Sequence, residues 1–400
     1  MTIETLEKRA DAPEHEMQSI SELRKLERQV RELRFAAVLA ELDLIKWRMD
    51  ELPSVIAIRR DLHAHPELAY QETRTAGVVA AELTRLGIAH KTGIATTGVI
   101  GYIPPTTGAG DASPRGAVGL GADMDALPIV EKTGAAYASK VPGIMHACGH
   151  DGHTANLLGA ARVLLKMPHR PRGVLLVFQP AEEGGAGGRR MCEEGALLGE
   201  RGGGLGDPVE QMFGLHGWPQ YNLGVVGSRP GPLLASTDNF HVKVVGEQAH
   251  AAYPHLGADP IVAASHIITA LQTIASRNVS PQDSIVVTVA QINAGMASNI
   301  IPRELTFVGT MRTVRKEMRE LGRKRFFEIV QQTAAAMDCR AEIDWDEGYP
   351  VTHNDPAMTE KFFRVAEKAL GSARVQGVTH PTMGGEDFSY YGQHVPACFF

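Results

Sequence analysis

Apolar positions follow three different rhythms along this chain. From residue 19 to about 51, Leu23, Leu26, Val30, Leu33, Ala37, Ala40, Leu44 and Trp47 recur at alternating steps of three and four. That is a helical stripe, and Ser19 with Glu22 has the spacing of a capping box at its start. Sustained over about four heptads, it fits either a coiled coil or a long helix packed on its own domain. The polar residues 1–16 before it read as disordered. After Pro53 the rhythm alternates. A helix is expected over 72–87, strands over 99–103 and 117–122, and a helix over 154–165. Short apolar runs at 174–178 and 212–215 read as buried strands, and the glycine runs at 108–110 and 202–204 as loops. Strands alternating with helices predict an α/β sheet covered on both faces.

The third rhythm begins after Arg229, Pro230, Gly231 and Pro232. A strand over 240–245, a helix over 260–276, strands over 284–293 and 304–312, a helix over 316–337 and a strand over 340–345 give the order βαββαβ. This is the split-βαβ, ferredoxin-like pattern. A helix over 356–370 then resumes the first pattern. With 400 residues, more than one ordinary core holds, two domains are expected. The division is an N-terminal extension at 1–50, an α/β domain in two parts (51–233 and 348–400), and an α+β domain inserted at 234–347.

Composition narrows the classes of function. A net charge of −6 leaves no electrostatic footprint for nucleic acid, and no basic run suggests a membrane surface. No apolar stretch approaches the roughly 18–20 residues of a membrane span. The opening MTIETLEKRADAPEHEM is unlike a secretory or transit peptide. Four cysteines (Cys148, Cys192, Cys339, Cys398) make no disulfide framework in so long a chain, and a reduced, cytoplasmic protein is expected.

Three segments carry candidate chemistry. In MHACGHDGHTANLLGAARVLL (145–165), Cys148 and His150 sit two apart in a glycine-containing loop, just before a helix that starts near Asp151. A thiolate there is favoured by the helix N-terminus and by any bound cation. His153, one turn in, fits a supporting or capping role better than that of a ligand. In VLLVFQPAEEGG, Glu182 and Glu183 leave the C-terminal end of a buried strand, the edge at which α/β sheets place their active sites. Adjacent carboxylates point in different directions, so one can hold a metal while the other moves protons. In MFGLHGWP, His216 ends another short strand, as a core histidine or as a further ligand. A Cys/His/Glu/His set suits zinc, manganese, cobalt or nickel better than magnesium or calcium.

With these segments in order, the chain resembles the amidohydrolase branch of the aminoacylase/carboxypeptidase metallopeptidase family. This branch holds hippurate hydrolases, N-acyl-amino-acid hydrolases and auxin-conjugate hydrolases. The resemblance is carried by RRDLHAHPEL (59–68), ADMDALPI (122–129), MHACGHDGHTANLLGAA (145–161), FQPAEEG (178–184) and GLHGWP (214–219). It continues through AHAAYPH (249–255), SNIIP (298–302), GTMRT (309–313) and MGGEDFSYY (383–391). It implies a two-domain fold, an α/β metallopeptidase catalytic domain with an inserted ferredoxin-like lid and dimerisation domain. It implies two divalent metal ions per subunit, held by Cys148, His150, Glu183 and His216, with the thiolate bridging. Glu182 would be general base and then acid. His250 would steady the oxyanion of a neighbouring subunit in a homodimer or higher homo-oligomer. Asn299 and Arg312 would grip the substrate, and Asp125 would orient a ligand histidine. The implied reaction is metal-dependent hydrolysis of a small-molecule N-acyl amino acid, hippurate-like, with neither nucleic acid nor membrane as partner. A carboxypeptidase or an N-acetyl-diaminopimelate deacetylase would use the same site. The family pattern continues past FSYYGQHVPACFF with a late histidine ligand, whereas this sequence stops at Phe400. A weakened second metal position is therefore expected, and the rival expectation is a catalytically impaired member acting as a binding or assembly protein.

Overall fold

The computed structural model describes Arg28, residues 50–106 and residues 116–400. The helical stripe at 19–51, apart from Arg28 and its last two residues, and the glycine run at 108–110 lie outside the described residues. A helix through residues 50–64 (α1) and α2 (Thr73–Arg85) precede β1 (Ala89–Ile94) and β2 (Gly98–Ile103). Then come β3 (Ala117–Asp123), α3 (His150–Lys166), β4 (Val174–Gln179), α4 (Gly187–Glu193) and β5 (Val209–Gly214), followed by β6 (Val226–Ser228) and β7 (Gly231–Leu234).

The main sheet has six strands. They run β1-β2-β4-β3-β5, with β16 (Ala397–Phe399) at the far edge. β3, β4, β5 and β16 are parallel, while β2 runs antiparallel to β4 and β1 antiparallel to β2. Because a strand points successive side chains to opposite faces, β4 contributes to both halves of the core. Val174, Leu176 and Phe178 pack with Val79, Leu83 and Leu158 from α2 and α3. Leu175 and Val177 pack on the other face with Met191, Phe388 and Tyr391. Burial of both faces is the reason this strand is apolar from Val174 to Phe178. The strand β1 was not foreseen, since its sequence AHKTGI is mostly exposed and carries no apolar alternation.

β8 (Ser236–Val245), β9 (Ala249–His250), α5 (Pro260–Thr273), β10 (Ile285–Ala294), β11 (Ile300–Ile301), β12 (Glu304–Thr313), α6 (Lys316–Ala335) and β13 (Arg340–Glu347) follow. Apart from the small β9/β11 ribbon, this is the expected βαββαβ order. Its four-stranded antiparallel sheet runs β10-β12-β8-β13, the ferredoxin-like arrangement. Phe240, Val242, Val244 and Phe307 from the sheet meet Ile267, Leu271, Phe326 and Val330 from the two helices. Asp259 caps α5, its carboxylate accepting from Ile261 N at 2.8 Å, and proline follows at the first helical position. The chain returns through β14 (Thr352–Asn354), α7 (Pro356–Leu370) and β15 (Val375–Gly377). β14 pairs with β7, so the strands entering and leaving the insert are joined side by side. Among the described residues no helix is long and apolar enough to cross a membrane.

Phe326 lies fully buried with its ring 4.4 Å from that of Phe240. Phe326→Ala should destabilise the fold by about 3–5 kcal/mol, read as a lower urea midpoint by circular dichroism.

Candidate metal centre

The parallel strands β3, β4 and β5 end at one edge of the sheet, and α3 begins there. Asp123 closes β3 and Asp125 follows it. Gln179 closes β4 ahead of the Glu182–Gly185 turn, and His216 lies two residues beyond the end of β5. Gly149, at φ 104°, takes the left-handed conformation that lets the Cys148 loop swing into α3.

Cys148, His150 and His216 each bring a ligand-capable atom within 4.8 Å of the others, as do His150, Glu182 and Glu183. Cys148 Sγ lies 3.2 Å from His216 Nε2. The two imidazoles are set alike. His216 Nδ1 is 2.7 Å from the Gly217 carbonyl, and His150 Nδ1 is 3.3 Å from Asp125 Oδ1. An oxygen acceptor at Nδ1 holds the proton there and leaves Nε2 as a lone pair. His150 Nε2 is buried and has no hydrogen-bond partner. A buried, orphaned ring nitrogen beside a thiol and a carboxylate is what a divalent cation would satisfy, so these residues fit the expected two-metal group.

Electrostatics agree at Cys148, Glu183 and His216. At His150 burial opposes the charged ring, but the Asp123 and Asp125 carboxylates outweigh it and raise the imidazole well above its usual range. Burial pushes the Cys148 thiol and the Glu183 carboxyl up, and pushes the His216 imidazole down to about 4. Neutral imidazole is the ligand form, and a cation restores charge to the thiol and the carboxyl. Asp125 lies against the His150 ring and also accepts from the amides of Glu182 (3.0 Å) and Glu183 (2.9 Å). His153 meets Asp123 through Nδ1 at 2.7 Å and accepts from Gly217 N through Nε2 at 2.8 Å. With both nitrogens engaged, it braces the His216 loop and has no lone pair to offer.

The turn that carries the two glutamates is strained. Ala181 and Ala186 both sit at φ 53°, Gly184 is at φ 82°, and Glu183 departs from helical geometry. Such positions cost about 1–3 kcal/mol each for residues other than glycine. The turn also folds tightly on itself, since a Cβ on Gly187 would stand 1.7 Å from the Pro180 carbonyl oxygen. Side-chain acceptors hold it at nearly every amide. Glu72 accepts from Ala181 N (2.8 Å), Asp125 from the next two amides, the Tyr349 hydroxyl from Gly184 N (2.7 Å), and Asp387 from Gly188 N (2.8 Å). Glu182 is buried with Glu386 and Asp387 within 4.8 Å. Burial first, and then these two carboxyls, raise its pKa well above the usual range.

Arg312 and the two glutamates line one cleft of about 410 Å³ between the main sheet and the insert. His250 and Asn299 lie elsewhere. They are exposed on the β9/β11 ribbon and its lead-in, where Ala251 N donates to the Asn299 carbonyl, and neither lines that cleft. On its other side, His216 lines a cavity of about 670 Å³ with Trp218, Tyr221, Leu223, Leu234 and Phe400. Glu72 and Tyr349 had no signal in the sequence, because neither lies beside a ligand in the chain. Glu386 and Asp387 stand in MGGEDFSYY, which marked the segment but not its chemistry.

Comparison with known proteins points the same way. The model of peptidase family M20/M25/M40 matches residues 119–400. An N-acetyl-L-cysteine deacetylase of Bacillus subtilis (strain 168) is 44% identical over 347 residues, covering 86% of this chain and 79% of that protein. An Arabidopsis thaliana protein, IAA-amino acid hydrolase ILR1-like 4, is 42% identical over 357 residues, 88% of this chain and 77% of its own length. Among solved structures, Bacillus subtilis YXEP, described as a dinuclear metal binding peptidase of the M20 family, superposes with a TM-score of 0.71. It is 34% identical and covers 87% of each chain.

The hydrogen bonding separates the two histidines of α3. His150→Ala should lose bound metal, whereas His153→Gln should keep it. Metal content per folded chain after dialysis checks this, and equal losses would overturn the division.

Proposed function

The chain belongs to peptidase family M20/M25/M40, in its amidohydrolase branch of metal-dependent amide hydrolases, and from that premise we propose that it cleaves small N-acyl amino acids to a carboxylic acid and an amino acid. The observation that carries the reading is the pair Glu182–Glu183. Both carboxyls reach the His150 ring, but Glu183 also meets the Cys148 thiol, whereas Glu182 is buried beside Glu386 and Asp387.

In this reading Cys148, His150, Glu183 and His216 hold the two divalent ions, which would polarise the scissile carbonyl and acidify the attacking water. Asp125 fixes the His150 ring and the two glutamate amides. Glu182 takes the water's proton and hands it to the leaving nitrogen. Its burial among Glu386 and Asp387 gives it the affinity to hold that proton, and bound cations would lower that affinity. Arg312 supplies a guanidinium that matches the substrate carboxylate bidentately. The apolar cavity beside His216 offers room for an acyl group from acetyl to aromatic size.

The same proposal assigns residues 51–233 and 348–400 to the catalytic domain, 234–347 to a lid and dimerisation domain, and 1–50 to an extension. Ile261, Val262, Ile292 and Met296 expose apolar surface on the insert, which supports pairing of two subunits. In such a dimer, exposed His250 and Asn299 would act across the interface, the partner subunit's His250 steadying the oxyanion. Four unpaired cysteines accord with work in a reducing, cytoplasmic setting.

Benzoylglycine and a series of N-acetyl amino acids should be hydrolysed with added manganese or zinc and not after chelation. Absence of turnover in folded, metal-loaded protein would overturn the proposal. Glu182→Ala should lower kcat about 100–10,000-fold with metal retained, and Glu183→Ala should lose metal as well. Arg312→Ala should cut kcat/KM for N-acyl amino acids by about 10–100-fold, and far less for the matching carboxamides. Equal losses on both substrates would remove Arg312 from the binding role.

A further inference from the structure

The junction between the two sheets holds a side chain that the reaction, as derived so far, does not use. Gly348 and Tyr349 follow β13 and lead out of the insert, and Thr237 opens it. Thr237 N donates to the Tyr349 carbonyl at 2.9 Å, and Tyr349 N donates to Thr237 Oγ1 at 2.9 Å. The two connecting strands are thus clasped to each other at one residue pair. Arg319 from α6 secures the same spot, donating to Asp238 at 2.7 Å and to the Gly348 carbonyl at 3.0 Å.

From this clasp, just past the end of the insert, the Tyr349 phenol reaches the glutamate-bearing turn of the catalytic domain. Its hydroxyl donates to the Glu182 carbonyl and accepts from Gly184 N at 2.7 Å and from Ala186 N at 3.4 Å. One phenolic oxygen has one proton and two lone pairs, so all of its capacity is spent on a single backbone turn. That turn carries Glu182 and Glu183 in a conformation the chain does not adopt unaided, with Ala181 and Ala186 left-handed and Glu183 non-helical. Glu72 and Asp125 hold its first three amides from within the catalytic domain. Tyr349 is the support that comes from the connecting segment of the insert.

We infer that Tyr349 is a positioning residue, whose hydroxyl ties the turn bearing the proton-transferring and metal-holding glutamates to the joint of the inserted domain. The placement of the two carboxylates is thereby coupled to the seating of that domain over the cleft. The inference rests on the proposed roles of Glu182 and Glu183. Removing the hydroxyl leaves two amides and a carbonyl of the turn without their partner while preserving the ring that packs the joint.

The test is Tyr349→Phe in the full chain, with Tyr102→Phe as control. Tyr102 also hydrogen-bonds through its hydroxyl, to Asp207 at 2.6 Å, but lies away from the cleft. Competition of manganese and of cobalt between protein and a chromophoric chelator gives metal affinity, and the cobalt absorption bands report ligand geometry. Turnover of benzoylglycine gives kcat and KM separately. The expected result for Tyr349→Phe is a loss of about 10–100-fold in metal affinity or in kcat, with KM within about threefold, altered cobalt bands and a wild-type circular dichroism spectrum. Tyr102→Phe should match wild type throughout. Metal affinity, cobalt bands and kcat all within twofold of wild type would overturn the inference, and so would losses that follow only the fraction of unfolded protein. If the wild-type chain hydrolyses no N-acyl amino acid, the substrate reading fails, and the metal measurements still decide the role of Tyr349.

Discussion

Glu182 and Glu183, adjacent in sequence, have different surroundings, and a regular helical turn would not hold them that way. The turn from Ala181 to Gly188 solves this by taking left-handed and irregular dihedrals. Its cost is offset because its amides meet side-chain acceptors brought from distant parts of the chain: Glu72 from the start of α2, Asp125 from beyond β3, Tyr349 from the joint of the insert, and Asp387 from the final segment. Burial of Glu72 and Asp387 keeps water from competing for these hydrogen bonds, and the same burial raises both carboxyls above their usual range. Without that lattice neither glutamate has a defined direction, and the rest of the site has nothing to converge on.

The candidate metal-holding atoms are set by the same kind of indirect support. Each imidazole that offers Nε2 has its Nδ1 engaged by an oxygen, from Asp125 for His150 and from the backbone for His216. His153, one helical turn from His150, has both nitrogens taken, whereas His150 Nε2 has no hydrogen-bond partner. Asp125 serves in two places, beneath a ring and beneath two amides. The positions of His150, Glu182 and Glu183 are therefore correlated, and substitution of Asp125 would disturb all three together.

The two sheets meet along the cleft that holds Arg312 on one side and the glutamates on the other. Charge from the insert and chemistry from the main sheet come together there, in keeping with the preference of small-molecule sites for domain junctions. The antiparallel pair β7–β14 and the Thr237–Tyr349 clasp keep that junction narrow, so a motion of the insert would be felt within a few residues of the turn.

Much of this was legible in the sequence because it depends on local periodicity. The all-apolar run of β4, the βαββαβ order after Pro232, and the proline-led α5 and α7 are dictated by side chains close to one another in the chain. The candidate ligand types were legible too, since cysteine, histidine and glutamate at strand ends and at a helix start are few. Tertiary structure alone decided three things. β1 gained its place by pairing with β2, which an exposed AHKTGI does not announce. His153 spends its Nδ1 proton on Asp123 and its Nε2 lone pair on the Gly217 amide, 30 and 64 residues away in the chain. Glu72 and Tyr349, 109 and 165 residues from the amides they hold, became supports of the site. A sequence specifies which groups can bond within a turn or two, but the distant partner of a buried amide exists only once the chain has closed around it.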